Sequence, residues 1–394
     1  MNTNILNTDV QDFILKNIST DILSILLKRQ LFETVSNQEL VEQIEAKIRC
    51  KKKLPLWYET PRIFYPNKLN IEQTSSEKTA RYKANLFSGK SFIDLTGGFG
   101  VDDYYFSKSF DQVIHCELNA ELSKIAAYNF SMLNANNISC INEDGIQYLV
   151  NTKSKFDCIY VDPSRRNEIK GKVFKLEDCL PNIPEHIDLL MEKGKVLIIK
   201  TSPMLDISIG LKELKHCKQL HIIALNNEVK ELLWILSKSA STLEKITTVN
   251  IGVNEEKFEF SPEDIQQSRT NYSPPLKYLY EPNSAIMKSG AFSLISETYN
   301  TPKLHEHSHL YTSNVLVDEF PGRKFTIDKT TPYNPKSLRK IMGNSKANIA
   351  TRNFPENPDQ IKKRLKLKDG GTLYLFFTTD IENNKIVLWC TKTG

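Results

Sequence analysis

Apolar positions change their spacing twice along this 394-residue chain. Over the first sixty residues they recur at helical period. Leu40, Val41, Ile44 and Ile48 share a face, and Ser36 with Glu39 has capping-box spacing, so an amphipathic helix is predicted from about 37 to 50. Thr8 with Gln11 has the same spacing and predicts an earlier helix start.

From Ser91 onward the period shortens. The runs "SFIDL", "QVIHC", "ISCIN", "DCIYV", "KVLIIK", "LHIIAL" and "KITTVNIGV" alternate with helical stretches, which predicts an α/β domain with a mostly parallel sheet of seven strands. Continuous apolar runs such as "KVLIIK" suit strands buried on both faces. Between the last two runs lies "NNEVKELLWIL", with room for one helix. Beyond Gly252 the rhythm is lost. "SPEDIQQSRTNYSPP" reads as a linker, and two alternating strands around "IENNK" predict a closing hairpin.

Composition narrows the class. A chain that is 40% hydrophobic at this length buries more than one core. It has no apolar run of about 18 residues and no signal-like start, so a cytoplasmic protein without a membrane partner is expected. Seven cysteines, odd in number and never spaced as CxxC, argue against zinc and disulfides. Net charge is only +5, yet Pro321 to Gly370 carries 13 Lys/Arg against 4 Asp/Glu, the distribution of a polyanion-binding module. The cluster "RCKKK" serves RNA contact or, equally well, the dipole of the helix it ends.

"DLTGGFGVD" is the chemical centre of the chain. Gly97, Gly98 and Gly100 follow a strand and open a helix, which permits close backbone approach to a ligand. The dinucleotide fingerprint fails because Asp103 stands where its third glycine belongs, and no Gly-Lys-Ser/Thr follows. Asp94 at the strand end repels phosphate and welcomes a cation. Glu117, twenty residues after Gly97, ends the second strand where a carboxylate takes both ribose hydroxyls. Asp144 ends the third strand, either meeting an adenine amine or forming a solvated turn.

With these three elements the chain resembles class I S-adenosylmethionine (AdoMet)-dependent methyltransferases. The order of a helical N-terminus, "EQTSSE", "DLTGGFGVD", "VDPSRR", "EPNSAIMKSGAF" and "FPGRKF" is similar to bacterial members with a ferredoxin-like insert and a C-terminal THUMP-like domain, and more distantly to the RNA cap guanine-N2 methyltransferase group. The resemblance implies a Rossmann-like sheet and four regions: 1–70 helical, 71–260 the methyltransferase domain, 270–320 ferredoxin-like and 321–394 THUMP-like. It implies AdoMet as cofactor, held by Asp94, Thr96, Gly97, Gly98, Gly100, Glu117, Asp144, Gly145 and Asp162. It also implies an RNA substrate, ribosomal or transfer, methylated on a base nitrogen.

The same resemblance implies that Asp162 and the Pro163 carbonyl grip the acceptor amine, with Ser164 and Arg165 completing the catalytic tetrapeptide. Family members commonly carry a second proline and an aromatic at those last two positions. That departure leaves open a non-catalytic RNA-binding or assembly factor, and a protein or small-molecule methyltransferase is the other alternative. Arg165 and Arg166 either hold RNA or pair with neighbouring carboxylates. Lys200 is either a further phosphate contact or a partner for Asp162. Gln73, Thr74 and Ser75 either cover the methionine end of the cofactor or form a helix cap. Arg323 and Arg352 lead the basic residues proposed for RNA. His305, His307 and His309 share a face if extended, but without cysteines or a carboxylate pattern no metal is expected.

Overall fold

A computed structural model describes residues 1–165 and 175–393. The chain forms two compact units, one of residues 1–220 and 231–242, the other of 221–230 and 243–394.

The first unit begins with helices α1 (Thr8–Lys16), α2 (Asn37–Lys53), α3 (Lys68–Gln73) and α4 (Glu77–Ala84). The box at α2 forms as predicted: Glu39 N–H donates to Ser36 Oγ at 3.2 Å and Ser36 N–H to Glu39 Oε2 at 2.8 Å. The box at Thr8 does not form. Asn7 takes the extended cap position and Thr8 is already helical, while Gln11 donates to the Ile5 carbonyl at 2.8 Å. The start lies one residue earlier, at an Asn7 whose side chain makes no capping hydrogen bond, so Gln11 falls at the fourth helical position instead of the third that a box requires.

Strands and helices then alternate: β1 (Gly89–Asp94), α5 (Val101–Phe106), β2 (Phe110–Cys116), α6 (Ala120–Met132), β3 (Ile138–Ile141), α7 (Gly145–Asn151), β4 (Phe156–Val161), α8 (Ile183–Lys193), β5 (Gly194–Thr201), α9 (Ile207–Glu213), β6 (Cys217–Leu225) and β7 (Glu228–Leu236). Strands β1 to β5 pair in parallel, and β7 runs antiparallel to β5. Two more strands, β8 (Lys245–Ile251) and β9 (Glu255–Phe260), fall among the residues of the second unit and bring the strand order to nine, β9-β8-β6-β7-β5-β4-β1-β2-β3.

The helix expected in "NNEVKELLWIL" is therefore strand β7. Residues 231–236 are all buried, so no polar face betrays the period of two. The Trp234 indole donates to Thr201 Oγ1 at 2.9 Å, and its ring fills the space where Gly210 of α9 lacks a Cβ. Asn226 and Asn227, with φ of 50° and 64°, make the two-residue turn that joins β6 to β7. The expected linker also holds a short helix, α10 (Pro262–Gln267), capped reciprocally by Ser261 and Asp264.

In the second unit β10 (Tyr278–Pro282), β11 (Tyr311–Ser313), β12 (Gly322–Pro332), β13 (Asn348–Arg352), β14 (Leu373–Thr379) and β15 (Lys385–Lys392) form a six-stranded sheet ordered β11-β10-β12-β15-β14-β13. Strands β14 and β15 are the hairpin expected around "IENNK". Helices α11 (Pro335–Met342) and α12 (Pro358–Leu365) bury Leu338, Met342, Ile361 and Leu365 against Phe377 and Val387.

Candidate active site

Parallel pairing sets Asp94 level with His115 and Tyr160, so the ends of β1, β2 and β4 open on one rim. The loop after β1 is laced to that rim. Gly97 N–H donates to the Cys116 carbonyl at 2.8 Å and Gly98 N–H to Glu117 Oε2 at 2.9 Å. Gly100 sits at φ 81° as the N-cap of α5, a left-handed position that favours glycine. Gly97 is needed for another reason: a Cβ there would lie 2.2 Å from the His115 ring.

Glu117 accepts from two backbone amides, Gly98 and Asn119, the latter at 2.7 Å to Oε1. One acceptor direction remains on each oxygen, the donor requirement of a ribose diol. Asp144 is exposed and caps α7 through Oδ1, which accepts from Gln147 N–H at 3.0 Å. Gly145 is buried, and a Cβ there would meet the Leu95 carbonyl at 2.5 Å, so the loops after β1 and β3 touch through backbone. Asp94 Oδ1 accepts from both Thr96 N–H (2.7 Å) and Thr96 Oγ1 (3.0 Å).

The electrostatics under this rim were not legible in the sequence. Burial, then the adjacent Asp103, pushes the Asp94 carboxyl well above the usual range, and burial with Asp102 does the same to Asp103. Burial also depresses His115 against the pull of Asp94 and Glu117, and His115 Nδ1 lies 2.9 Å from Asp103 Oδ2. A carboxyl raised in this way, as Asp94 is, ionises most readily beside an incoming cation, and an incoming phosphate would drive it higher still.

The acceptor loop is tied to the same floor. Asp162 N–H donates to Thr96 Oγ1 at 2.7 Å, and Lys200 Nζ lies 2.5 Å from Asp162 Oδ2. The structure thus makes Lys200 the partner of Asp162. Burial works to lower the Lys200 pKa, and Asp162, Asp102 and Glu231 outweigh it, leaving the ammonium firmly charged. Pro163 is buried and Ser164 exposed. Ser164 and Arg165 pair in a two-residue ladder with Leu180 and Cys179. Arg166 lies outside the described residues.

Residues 73–75 divide. Gln73 is exposed, Thr74 ends α3, and Ser76 rather than Ser75 caps α4. Ser75 is buried, donating to Asp102 Oδ2 at 2.8 Å and accepting from Lys83 Nζ at 2.7 Å. Lys83, Asp102, Tyr160 and Glu231 were not singled out from the sequence. A lysine inside "EKTARYKA" looks like any solvated helix residue, yet its side chain is 0% exposed.

In the second unit Arg323 and Arg352 converge on one buried carboxylate, Glu281, while staying 40% and 38% exposed. The histidines do not share a strand face. Residues 304–308 form a turn, where His305 bonds Asn353 and Asn383 at 3.0 and 3.1 Å, and His309 stacks on Phe292. A tripeptide spacing of two lines up only in extended backbone, and here the chain bends. Among the described residues no group of three His, Cys, Asp or Glu is placed to hold a metal.

Family models for a ferredoxin-like domain and for a THUMP domain-like module match residues 278–321 and 322–392. A crystal structure of a Porphyromonas gingivalis W83 protein assigned as a methyltransferase superposes with a TM-score of 0.87 at 31% identity, covering 98% of both chains. Ribosomal RNA small subunit methyltransferase J of Francisella tularensis subsp. novicida is 31% identical over 91 residues, 21% of this chain. The match spans only 36% of that relative's length.

Proposed function

The chain belongs to the family of the Porphyromonas gingivalis protein, and from that premise we propose that it is an AdoMet-dependent methyltransferase acting on a base nitrogen of ribosomal or transfer RNA. The observation that carries this is the Asp162 amide hydrogen-bonded to Thr96 of the glycine loop, which joins the acceptor loop to the cofactor rim.

The residues fit the cofactor: the Asp94 carboxyl ionises most readily beside a cation, and Glu117 keeps acceptors for a diol. AdoMet, when bound, supplies an electrophilic methyl on a positively charged sulfur. Gly97, Gly98 and Gly100 let it approach, with Asp94 at its amino-acid end, Glu117 at the ribose and Asp144 at the adenine. The Asp162 carboxylate and Pro163 carbonyl accept hydrogen bonds from the substrate amine and aim its lone pair at the methyl. A nitrogen that gains a methyl must lose one proton, which would pass to water beside the Asp162 carboxylate. Lys200 holds that carboxylate in place.

RNA is held by the THUMP-like module. Exposed Lys336, Arg339, Lys340, Lys346, Lys363 and Arg364 supply the cations, and Arg323 with Arg352 add a net single charge after Glu281 is counted. We place the enzyme in the cytoplasm with its RNA; among the described residues no helix is long and apolar enough to cross a bilayer. The four-region division at 1–70, 71–260, 270–320 and 321–394 is part of the same proposal.

The test is transfer of labelled methyl from AdoMet to total RNA from a strain lacking the protein, followed by nucleoside analysis. Label in one methylated base nucleoside is the expected result. Label confined to protein overturns it.

A further inference from the structure

Beneath the rim lies an ionic cluster that the proposed chemistry does not itself use. Lys83 Nζ is fully buried and lies 3.0 Å from Asp102 Oδ1, 3.1 Å from Glu231 Oε2, 2.7 Å from Ser75 Oγ and 3.4 Å from the Tyr160 hydroxyl. Tyr160 in turn donates to Asp102 Oδ2 at 3.0 Å. These residues come from four separate stretches: the segment before β1, the helix after the glycine loop, the end of β4 and strand β7. Burying so many charges is costly unless each has a partner, and a cluster kept for stability alone is replaceable by apolar side chains.

The arrangement makes sense through Lys200. That ammonium feels Asp162, Asp102 and Glu231 together, and it sits on Asp162 at 2.5 Å. In the antiparallel pairing Lys200 is opposite Leu233, which puts Glu231, two residues along, on the same sheet face as Lys200. Two carboxylates are therefore competing for the cation that steadies Asp162. Lys83 occupies both of them. Without its charge, three carboxylates would share one ammonium, and Lys200 would be drawn down into the floor and away from the acceptor loop.

We infer that Lys83 is a positioning residue of the methyl-transfer site: by neutralising Asp102 and Glu231 it leaves Lys200 free to hold Asp162 at the acceptor amine. Through Ser75 and Asp102 the same ammonium ties the segment before β1 to the helix after the glycine loop. The inference rests on the methyltransferase function proposed above.

Lys83→Met tests it, with Lys83→Met/Glu231→Gln as a second variant that removes one charge of each sign and so restores the balance of charge around Lys200. Three measurements are made on the full chain: thermal unfolding, calorimetric affinity for S-adenosylhomocysteine, and kcat and KM for labelled methyl transfer to total RNA from the deletion strain. Lys83→Met is expected to bind S-adenosylhomocysteine within about threefold while kcat falls roughly 100-fold, the scale of a displaced reacting group, and the double variant is expected to melt near the wild type and regain most of that kcat. A folded Lys83→Met protein with full kcat overturns the inference, as does a loss expressed only as weaker cofactor binding, or a double variant that melts near the wild type yet keeps a roughly 100-fold loss. Failure of the function itself shows separately, as absence of transfer by the wild type.

Discussion

Gly97→Ala offers the sharpest test of how the loop is built. The new Cβ would sit 2.2 Å from both Cε1 and Nδ1 of His115, against an ordinary contact of about 3.5 Å. The ring has nowhere to go: it is fully buried, its Nδ1 is bonded to Asp103 at 2.9 Å, and Phe130 packs edge-on at 5.5 Å. Overpacking costs about 1–3 kcal/mol, and breaking a buried hydrogen bond about 1–3 more. A loss of about 4 kcal/mol lowers the melting temperature of a unit this size by roughly 10 °C. Gly98→Ala is the control. Its Cβ meets nothing nearer than the Thr96 carbonyl at 3.8 Å, so only the left-handed backbone at φ 60° is penalised, by about 1–2 kcal/mol. Differential scanning calorimetry of both variants should rank them clearly. In Gly97→Ala/His115→Ala the ring is absent and the two losses should not add. A Gly97→Ala protein that melts no lower than Gly98→Ala would refute the steric account.

Other consequences are open to measurement. Lys200→Met should lower kcat by roughly 100-fold while leaving S-adenosylhomocysteine affinity near the wild-type value, because it frees the Asp162 carboxylate without touching the glycine loop; calorimetry beside single-turnover assays would show an affinity loss if that is wrong. Burial, reinforced by Lys245 and Lys257, holds His221 down at about 4 from an ordinary 6.5. The unfolded chain then binds a proton that the folded chain refuses, so stability is whole above pH 6.5 and lost as pH falls toward 4, by about 2 kcal/mol at pH 5. His221→Gln should flatten that part of the stability profile in chemical denaturation at pH 7 and pH 5, and an unchanged profile counts against it. Glu281→Gln should cost only about 1 kcal/mol, since Arg323 and Arg352 stay 40% and 38% exposed and water screens them. If those arginines face RNA, the same variant, which raises their net charge by one, steepens the log–log salt dependence of RNA binding by up to roughly 1, readable by filter binding.

Much of this molecule was legible along the chain. Alternating apolar runs located β1 to β6, the capping box placed α2, and Gly97, Gly98 and Gly100 with Glu117 located the rim. Each of these signals is local: it depends on neighbours within a few residues, and no tertiary contact reverses it. β7 escaped because a strand buried on both faces has no alternation to read. The histidine alternation misled because it presumed extended backbone in a segment that turns.

Residue order alone determined that a glycine loop would follow a strand, that acidic side chains would stand at the strand ends, and that positive charge would gather late in the chain. Only the three-dimensional arrangement decided that Lys200 serves Asp162, that Arg323 and Arg352 meet on Glu281, and that Lys83, indistinguishable in "EKTARYKA" from a solvated lysine, lies at the centre of a buried cluster. The physical reason is that a charge acts through space on whatever the fold brings within a few ångströms. The partners of Lys83 are 8, 19, 77 and 148 residues distant along the chain.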